Sequence, residues 1–343
     1  MPTTNQQWGS LTVAPTVAAV FSESIKGRTI LITGVNRTGL GYATANAFAS
    51  QSPSAIVITG RSAAKLQESV DSLYAIYPSI AVKPLIIDLS SQKSVREAAS
   101  KLLSWNDIPS IDIVVNNAGV MNIQERTLSI DGAEMHFATN HLGHFLFTNL
   151  LMPKILAGKN KRIVNVSSVG TFVSPIRFSD LRWEKSQSSI PDAEKVNVAM
   201  LSAAKLPISE STTYTPFGAY GASKTANILY SAALNARLSN HGVLSVALHP
   251  GEIMTELQRS TDLVWLANNM KGRAEKGMPG FKTLEEGAAT ALVAATDPKL
   301  GRMDKFLNDC QVSEKVPPYA VDEEIAERLW NVSEELVGEK FVW

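Results

Sequence analysis

Apolar runs of strand length alternate along this chain with segments whose apolar residues have helical spacing. The first run, residues 28–34, ends in glycine and is followed by an Ala-rich segment, 41–50. Strands that are apolar at nearly every position are buried on both faces of their sheet. Their alternation with helices then implies parallel pairing through right-handed crossovers. The pattern therefore predicts an α/β fold with a single doubly wound parallel sheet and helices on both of its faces.

The alternation continues to about residue 250 and gives six strands. Ligands of such Rossmann-type sheets bind at the carboxyl ends of the strands, so the residues after each strand are the candidates for a site. Two irregular segments, 170–217 and 252–282, follow strands and carry apolar residues, which is typical of lids or binding loops. The predicted strands are 28–34, 55–61, 80–89, 111–117, 162–168 and 244–249. The predicted helices are 41–50, one that Ser62 caps, 92–103, one that starts at a capping box of Asp131 and Glu134 and runs to about Leu156, 220–240 and 322–337.

Charge and cysteine content exclude several classes of protein. The 32 Lys and Arg residues balance the 32 Asp and Glu residues, so the chain lacks the basic surface that nucleic acids or acidic membranes attract. The apolar stretch 13–21 contains Pro15, is much shorter than the roughly 20 residues of a membrane span, and follows no cationic segment of a signal peptide. A single cysteine, Cys310, cannot form an internal disulfide, which favours a reducing compartment. We therefore expect a soluble cytoplasmic protein.

The loop between the first strand and the first helix is rich in glycine. Glycines let the backbone approach a pyrophosphate, and the N-terminus of the next helix offers free N–H groups and the positive end of its dipole. A glycine cluster alone is more often a plain turn, but its position after the first buried strand favours a dinucleotide site. The residues predicted to contact the phosphates are Gly34, Asn36, Arg37, Thr38, Gly39, Leu40 and Gly41.

The end of the second strand predicts which dinucleotide binds. A carboxylate about 20 residues after the glycine motif binds a free ribose 2′-hydroxyl, whereas an arginine accommodates a 2′-phosphate. Arg61 occupies this position, and no Asp or Glu occurs in residues 24–67. Ser62 and Lys65 follow it, and Arg37 belongs to the glycine loop. These side chains predict NADP(H) rather than NAD(H); the alternative is that they are solvated surface residues.

Tyr220 and Lys224 have the i, i+4 spacing that places two side chains on one face of a helix. A nearby ammonium stabilises a phenolate and so lowers a tyrosine pKa that is otherwise about 10. A tyrosine tuned in this way exchanges a proton with a carbonyl or alcohol oxygen near neutral pH. Chance explains most such spacings, so this prediction depends on other polar residues at the same edge of the sheet.

Polar residues do follow the other strands. Ser167 and Ser168 end the fifth strand, and the segment 116–119 (Asn-Asn-Ala-Gly) ends the fourth. Asn140 lies inside an otherwise apolar helix, where a buried amide needs partners. The segment 250–255 (Pro-Gly-Glu-Ile-Met-Thr) follows the sixth strand. Each has an ordinary explanation as turn chemistry or a satisfied core amide, but their convergence on one edge predicts an active site.

With these motifs the chain resembles the short-chain dehydrogenase/reductase family from about residue 26 to residue 309. It is similar to the branch of retinol-dehydrogenase-like and WW-domain oxidoreductase-like enzymes and to fungal reductases of that type. The resemblance implies a Rossmann-fold enzyme that uses NAD(P)(H) to interconvert a carbonyl and an alcohol. We predict an N-terminal arm (1–25), a catalytic domain (26–310) with the insertion 170–217 and the substrate loop 252–282, and a C-terminal helical tail (311–343).

The resemblance also implies a role for each candidate residue. Tyr220 is the general acid or base, and Lys224 lowers its pKa and holds the nicotinamide ribose. Ser168 polarises the substrate carbonyl, and Asn140 supports Lys224 through water. The other cofactor contacts that it implies are Asp88 and Leu89 at the adenine, Asn116, Ala118 and Gly119 at the adenosine ribose, and Pro250, Gly251, Ile253 and Thr255 at the nicotinamide.

Two features depart from the family pattern. The glycine motif at 33–41 has one residue more than the usual TGxxxGxG, which leaves open which of the residues 37–39 contacts which phosphate. Ser168 and Tyr220 are 52 residues apart, farther than is common in the family, because the insertion 170–217 lies between them. The family therefore does not predict the substrate.

Several alternatives stay open at this point. The Met- and Trp-bearing loops favour a medium-to-large hydrophobic small molecule, with a secondary-metabolite ketone first and retinoid- or steroid-like molecules next. A non-redox cyclase or dehydratase is the main alternative function, and the intact catalytic set argues against a nucleotide sensor without turnover.

The spacing of His136, His141 and His144 does not place them on one helix face, so no metal site is predicted. The helix 322–337 is expected to pack on the body of the chain or on a second copy in a homo-oligomer.

Overall fold

One sheet organises the fold. A computed structural model describes residues 3–257, 275 and 280–343 of the chain. Its strands are β1 (Thr29–Ile32), β2 (Ala55–Gly60), β3 (Ala81–Ile86), β4 (Ile113–Asn116), β5 (Arg162–Val166), β6 (Leu244–His249), β7 (Phe306–Asn308) and β8 (Gln311–Val312). Their order is β3-β2-β1-β4-β5-β6-β7-β8, and every neighbouring pair is parallel except β7 and β8. The order changes direction between β1 and β4, which is the point where ligands bind in doubly wound sheets.

Helices cover both faces of the sheet. They are α1 (Ala14–Val20), α2 (Ser22–Ile25), α3 (Leu40–Ala49), α4 (Ala63–Ile76), α5 (Gln92–Leu103), α6 (Met135–Phe137), α7 (Gly143–Leu150), α8 (Met152–Leu156), α9 (Val198–Ala203), α10 (Pro216–Arg237), α11 (Leu284–Thr296) and α12 (Glu323–Val337). One core layer contains α1, α3, α4 and α11, and the other contains α5, α7, α10 and α12. Successive strand residues alternate between these layers: Ile30 and Ile32 face the first and Leu31 the second. This arrangement confirms the predicted α/β fold.

The strand and helix predictions differ from the structure mainly after β6. Nearly every residue of α11 is buried, so the helix lacks the 3.6-residue apolar period that identifies a half-exposed helix. The capping box between Thr283 and Glu286 is the sequence signal that could have identified its start. β7 and β8 have three and two residues, too few for a pattern.

The predicted capping box of Asp131 and Glu134 is wrong, and the helix predicted to run to about Leu156 is divided in the structure. Glu134 caps its start by accepting a hydrogen bond from the Phe137 backbone, whereas Asp131 accepts one from Gln92. A π-helical turn, Ala138–Leu142, then separates α6 from α7. Single π-helical turns inside α-helices are frequent at functional sites.

Both ends of the chain pack on the body of the fold. Near the start, Trp8 and Phe21 meet edge to face in the same core layer as α1. At the other end, α12 packs against α10, and the rings of Phe341 and Trp343 pack beside Trp330. The predicted domain boundaries at residues 25 and 310 stay a prediction. Among the described residues, none of the helices has the length and apolar character needed to span a membrane.

Candidate active site

A cavity of about 900 Å³ opens at the carboxyl edge of the sheet. It is lined by residues that follow β1, β2, β4, β5 and β6, as the sequence pattern predicts. The predicted site residues that line it are Gly34, Asn36, Gly39, Leu40, Arg61, Ser62, Lys65, Asp88, Leu89, Ala118, Gly119, Ser168, Tyr220, Lys224, Pro250, Gly251, Ile253 and Thr255. Five other predicted residues are not among the lining residues: Arg37, Thr38, Gly41, Asn116 and Asn140.

Two glycines of the loop allow it to pack closely against neighbouring backbone. Gly34 has a φ of +71°, and a Cβ on it would lie 2.6 Å from the Ala118 Cα atom. A Cβ on Gly41 would lie 2.7 Å from the Gly34 carbonyl oxygen, so this glycine allows α3 to start against the loop instead of lining the cavity. Gly39 is the N-cap of α3, and among the described residues no side chain caps this end. The backbone N–H groups at the N-terminus of α3 are therefore suited to bind an anionic phosphate.

Asn117, and not the predicted Asn116, lines the cavity at the end of β4. The Asn117 side-chain amide donates to the carbonyl oxygens of Thr33 and Gly34, at 2.8 and 3.2 Å, and so fixes the glycine loop. The Asn116 amide instead donates within the core, to Asn165 at 2.9 Å and to Thr148 at 3.1 Å. Side chains of neighbouring residues in a strand point in different directions. For this reason Asn117 contacts the glycine loop, whereas Asn116 contacts the core.

The predicted phosphate-binding residues occupy the outer end of the cavity. Arg61, Ser62 and Lys65 line it, whereas Arg37 and Thr38 are exposed outside it. The Lys65 ammonium pairs at 2.8 Å with the carboxylate of Glu256, which follows β6 and also lines the cavity. Sequence reasoning missed Glu256 because 191 residues separate it from Lys65. The Glu256 carboxylate therefore lies beside the groups that are predicted to bind a phosphate.

Ser168, Tyr220 and Lys224 meet at the inner end of the cavity. The Ser168 hydroxyl hydrogen-bonds to the Tyr220 side chain. The Lys224 Nζ atom lies 5.7 Å from the centre of the Tyr220 ring and donates to the Val166 carbonyl at 2.9 Å. Both the tyrosine and the lysine are buried. A cation, a phenol and an alcohol thus face one small volume, which suits them to act on a substrate oxygen.

Asn140 lies in the π-helical turn and holds the neighbouring loop. Its side chain accepts from the Val120 N–H at 2.8 Å and donates to the Val120 carbonyl at 2.9 Å. The amide also donates to the Ser223 hydroxyl at 2.9 Å. A Cβ on Gly119 would lie 3.1 Å from Asn140 Oδ1 and 3.5 Å from Lys224 Nζ, so the glycine leaves room for these groups to approach. Asn140 therefore stands behind the cavity wall, close to Lys224.

Burial dominates the electrostatics of the inner end. It raises the pKa of Tyr220 to about 12, against the opposing hydrogen bond from Ser168. It also lowers the pKa of Lys224 to about 7. Loss of solvent disfavours both charged forms here. The sequence-based expectation that Lys224 lowers the tyrosine pKa stays a prediction. At neutral pH the phenol carries its proton and is suited to donate it.

The histidines of the α6–α7 segment have separate partners. His144 bonds to the Asn140 carbonyl at 3.0 Å and to the Thr33 hydroxyl at 2.8 Å. His141 bonds to Ser333 at 2.8 Å, and His136 bonds to Glu134 at 2.7 Å. Burial lowers the pKa of His141 to about 3 and that of His144 to about 4. Within the described residues, no three or more His, Cys, Asp or Glu side chains are grouped so that they could hold a metal ion.

The insertion forms one wall of the cavity and has a small core of its own. Val173, Met200 and Phe217 line the cavity from this side. Beneath them, the fully buried Arg177 pairs with Asp180 at 2.5 Å, and its guanidinium lies 4.2 Å from the Trp183 ring centre. This packing gives the insertion a buried core, and its predicted motion as a lid stays a prediction. Of the second predicted lid, 252–282, residues 258–274 and 276–279 lie outside the described residues.

The buried ion pair of the insertion predicts a loss of stability. Replacing Asp180 with asparagine removes the carboxylate that pairs directly with Arg177 and leaves only the weaker interaction with Glu194. Breaking a buried pair typically costs about 3–5 kcal/mol. We expect a lower urea midpoint for Asp180→Asn. The control is Asp192→Asn, since the exposed Asp192–Lys195 pair contributes little. An unchanged midpoint for Asp180→Asn would show that the insertion does not depend on this pair.

Known proteins resemble this chain over most of its length. The short chain dehydrogenase profile matches residues 28–180. Oxidoreductase fscI from Fusarium equiseti is 38% identical over 244 residues, which cover 70% of this chain and 93% of the relative. Retinol dehydrogenase 12 from Homo sapiens is 33% identical over 334 residues, which cover 95% of this chain and 93% of the relative. A crystal structure of an uncharacterized protein from Mycobacterium paratuberculosis has a TM-score of 0.66 and 27% identity, and covers 93% of this chain and 96% of its own.

These relatives share the family that the sequence motifs indicate. The identity to two of them exceeds 30%, and each is matched over 93% of its own length. The parallel sheet, its glycine loop and the polar residues at its carboxyl edge agree with that relationship. The chain therefore belongs to the short-chain dehydrogenase/reductase family of oxidoreductases.

Proposed function

We propose that the protein is an NADP(H)-dependent oxidoreductase that interconverts a carbonyl and an alcohol on a medium-to-large hydrophobic substrate. The observation that carries the proposal is the presence of Ser168, Tyr220 and Lys224 in the same cavity as the glycine loop. Because burial keeps the proton on Tyr220 at neutral pH, this side chain is prepared to donate a proton to the oxygen of a carbonyl substrate. The test is an assay of NADPH consumption with a ketone or aldehyde as substrate. The proposal predicts consumption by the unaltered protein and its loss when Tyr220 is replaced.

The chain's own groups divide the chemistry between them. When bound, the nicotinamide supplies or accepts the hydride. Tyr220 donates its phenolic proton to the substrate oxygen during reduction and takes it back during oxidation. The Ser168 hydroxyl donates a hydrogen bond to the same oxygen, and the Lys224 ammonium stabilises negative charge that develops there. Asn140 keeps Val120 in place behind them.

The cavity is long enough to divide into a cofactor part and a substrate part. The phosphates would lie at Gly34, Asn36, Gly39 and Leu40, and the adenine at Asp88 and Leu89. The nicotinamide would lie between Tyr220 and the segment Pro250, Gly251, Ile253 and Thr255. The remaining lining includes an apolar set, Val120, Met121, Val169, Val173, Met200, Phe217, Leu257 and Phe281, beside polar residues such as Thr139, Ser167, His249 and Glu252.

This apolar lining supports a hydrophobic substrate. A secondary-metabolite ketone is the first class to test. Retinoid-like molecules come next, because relatives at 33% identity are named retinol dehydrogenases. A steroid-like ketone is a third class. The cytoplasmic location and a homo-oligomeric state stay predictions from the sequence.

Cofactor selectivity is expected to depend on Arg61. Replacing Arg61 with aspartate removes a positive charge from the predicted 2′-phosphate site and adds a repulsive one. We expect NADPH affinity to fall roughly tenfold or more, since a charged hydrogen bond contributes about 1.5–3 kcal/mol, while NADH affinity changes little. Titration of both cofactors by intrinsic fluorescence measures this, with the exposed Lys93→Asp on α5 as control. Equal NADPH and NADH affinities in the unaltered chain would contradict the NADP(H) assignment.

A further inference from the structure

A buried acid–imidazole pair lies directly behind the proposed proton donor. The Glu134 and His136 side chains are both fully buried, and His136 Nδ1 lies 2.7 Å from Glu134 Oε1. The second carboxylate oxygen, Oε2, accepts from the Phe137 N–H at 2.9 Å. The proposed chemistry of Ser168, Tyr220 and Lys224 uses neither residue. Burial of a carboxylate is costly unless it is paired and hydrogen-bonded, as Glu134 is. The pair is therefore a candidate for a role that the proposed chemistry does not include.

The hydrogen bonds of this pair fix its protonation pattern. The Ile123 backbone N–H donates to His136 Nε2 at 3.3 Å, so this nitrogen must offer its lone pair. The proton of the ring is therefore on Nδ1, which donates to Glu134. Because both ring nitrogens have a hydrogen-bond partner, the imidazole ring is held in one orientation. It also connects α6 to the loop that contains Val120 and Ile123.

The imidazole ring contacts the ring of Tyr220. The two ring centres are 6.2 Å apart with an interplanar angle of 70°, an edge-to-face geometry. The tyrosine ring also meets the backbone at Gly170, where a Cβ would lie 3.0 Å from the Tyr220 Cε1 atom. The position of the phenol is thus limited by His136 and by Gly170. A change in either contact would move the phenolic oxygen.

The insertion is connected to the same group of residues. The Tyr214 hydroxyl donates to the Ile123 carbonyl at 2.8 Å, and the Tyr214 ring packs edge to face on Trp183. The loop around Ile123 is therefore held by His136 on its N–H and by Tyr214 on its carbonyl. This links the core of the insertion to the wall behind Tyr220.

We propose that Glu134 and His136 are positioning residues that hold the Tyr220 phenol where it can transfer its proton. The inference rests on the proposed function of Tyr220. Proton transfer needs a donor within about 2.6–3.2 Å of the substrate oxygen. A displacement of about 1 Å can reduce the rate by roughly 10²-fold. The pair acts only through the tyrosine, so it should influence the chemical step and not cofactor binding.

The chain offers a matched control for this proposal. His141 is also a buried histidine of the α6–α7 segment, and it bonds to a single neutral partner, Ser333. Its ring contacts are with Phe137, Phe145 and Tyr230, away from the cavity. His136→Gln and His141→Gln therefore remove comparable buried rings from the same part of the fold.

The test compares these variants with the best substrate from a set of retinal, aromatic aldehydes and alicyclic ketones. For His136→Gln we expect kcat to fall about 10–100-fold, with the NADPH Kd changed less than about twofold. The primary isotope effect with C4-deuterated NADPH should increase, because hydride and proton transfer become rate-limiting. For His141→Gln we expect kcat and the isotope effect to stay within about twofold of the unaltered chain. Thermal unfolding of both variants measures any shared loss of stability.

Glu134→Gln provides a second variant that does not depend on the first. Glutamine keeps an acceptor for the Phe137 N–H but cannot accept from His136 as well, so the same rise in isotope effect is expected with a smaller loss of kcat. Equal kcat and isotope effects in His136→Gln and His141→Gln would overturn the proposal. If His136→Gln does not fold, an unchanged isotope effect in Glu134→Gln would overturn it. Full activity of Tyr220→Phe would instead overturn the proposed function itself.

Discussion

Replacing Tyr220 with phenylalanine is expected to reduce carbonyl reduction by about 10²–10⁴-fold, the usual loss when a general acid is removed. The variant lacks only the phenolic oxygen, so the cavity keeps its shape and the NADPH Kd should change little. The phenol is the group that the structure gives a proton at neutral pH, since burial raises its pKa to about 12. Initial rates of NADPH oxidation with each carbonyl substrate, together with a fluorescence titration of the cofactor, measure both expectations.

Tyr230→Phe is the matched control for this prediction. Tyr230 is buried on the same helix, α10, and its hydroxyl donates to Asn149 at 3.3 Å, away from the cavity. Its loss should cost about 1 kcal/mol of stability and leave kcat unchanged. Near-normal reduction by Tyr220→Phe would refute Tyr220 as the proton donor.

The raised tyrosine pKa has a consequence for the pH profile. A phenol with a pKa of about 12 keeps its proton throughout the ordinary working range. Deprotonation of Tyr220 should therefore not reduce the rate of carbonyl reduction below about pH 10. A loss of rate with an apparent pKa well below 10 that disappears in Tyr220→Phe would show that bound cofactor lowers the phenol pKa, as the sequence spacing suggested.

Replacing Lys224 with methionine is expected to damage catalysis and to stabilise the cofactor-free chain. Loss of a charge that stabilises the developing oxyanion typically reduces kcat by about 10²–10³-fold. NADPH affinity should also fall, because the family resemblance places the nicotinamide ribose on this lysine. The Val166 carbonyl, to which Lys224 donates, keeps a second donor in Asn227 at 3.0 Å. The substitution therefore leaves no acceptor without a hydrogen bond there.

The expected gain in stability follows from the lysine pKa. Burial lowers the pKa of Lys224 from 10.5 to about 7 in the folded chain. Between these values the unfolded chain binds more protons, so the penalty for burying the amine is full below pH 7 and is relieved as the pH rises to 10.5. Lys224→Met should thus raise the Tm of the cofactor-free protein more at pH 6 than at pH 9. A lower Tm at pH 6 would contradict this account of the buried amine.

Sequence reasoning could predict the sheet because its strands are short, apolar and punctuated by polar residues. β6 has the predicted bounds 244–249, and the polar residues after β1, β2, β4, β5 and β6 do converge on one cavity. It could not separate Asn116 from Asn117, because the side-chain direction at a strand end depends on where the strand stops. It did not find Glu256, whose proximity to Lys65 exists only in the folded chain.

The catalytic pair shows a second limit of sequence reasoning. The i, i+4 spacing of Tyr220 and Lys224 correctly places both groups in one cavity, but it does not reveal how much solvent they lose. The structure shows that both are buried, and burial shifts each pKa against its charged form. The same limit applies to His136, whose contact with Tyr220 comes from the packing of α6 against α10.

The most direct measurement follows the hydride itself. The protein is incubated with NADPH that carries deuterium at both C4 positions and with the set of retinal, aromatic aldehydes and alicyclic ketones, and the products are analysed by mass spectrometry. The account predicts one deuterium on the carbinol carbon for each NADPH consumed, and about 10²–10⁴-fold slower formation of this product with Tyr220→Phe. A product that forms without deuterium and without consumption of NADPH would contradict hydride transfer and support the non-redox alternative.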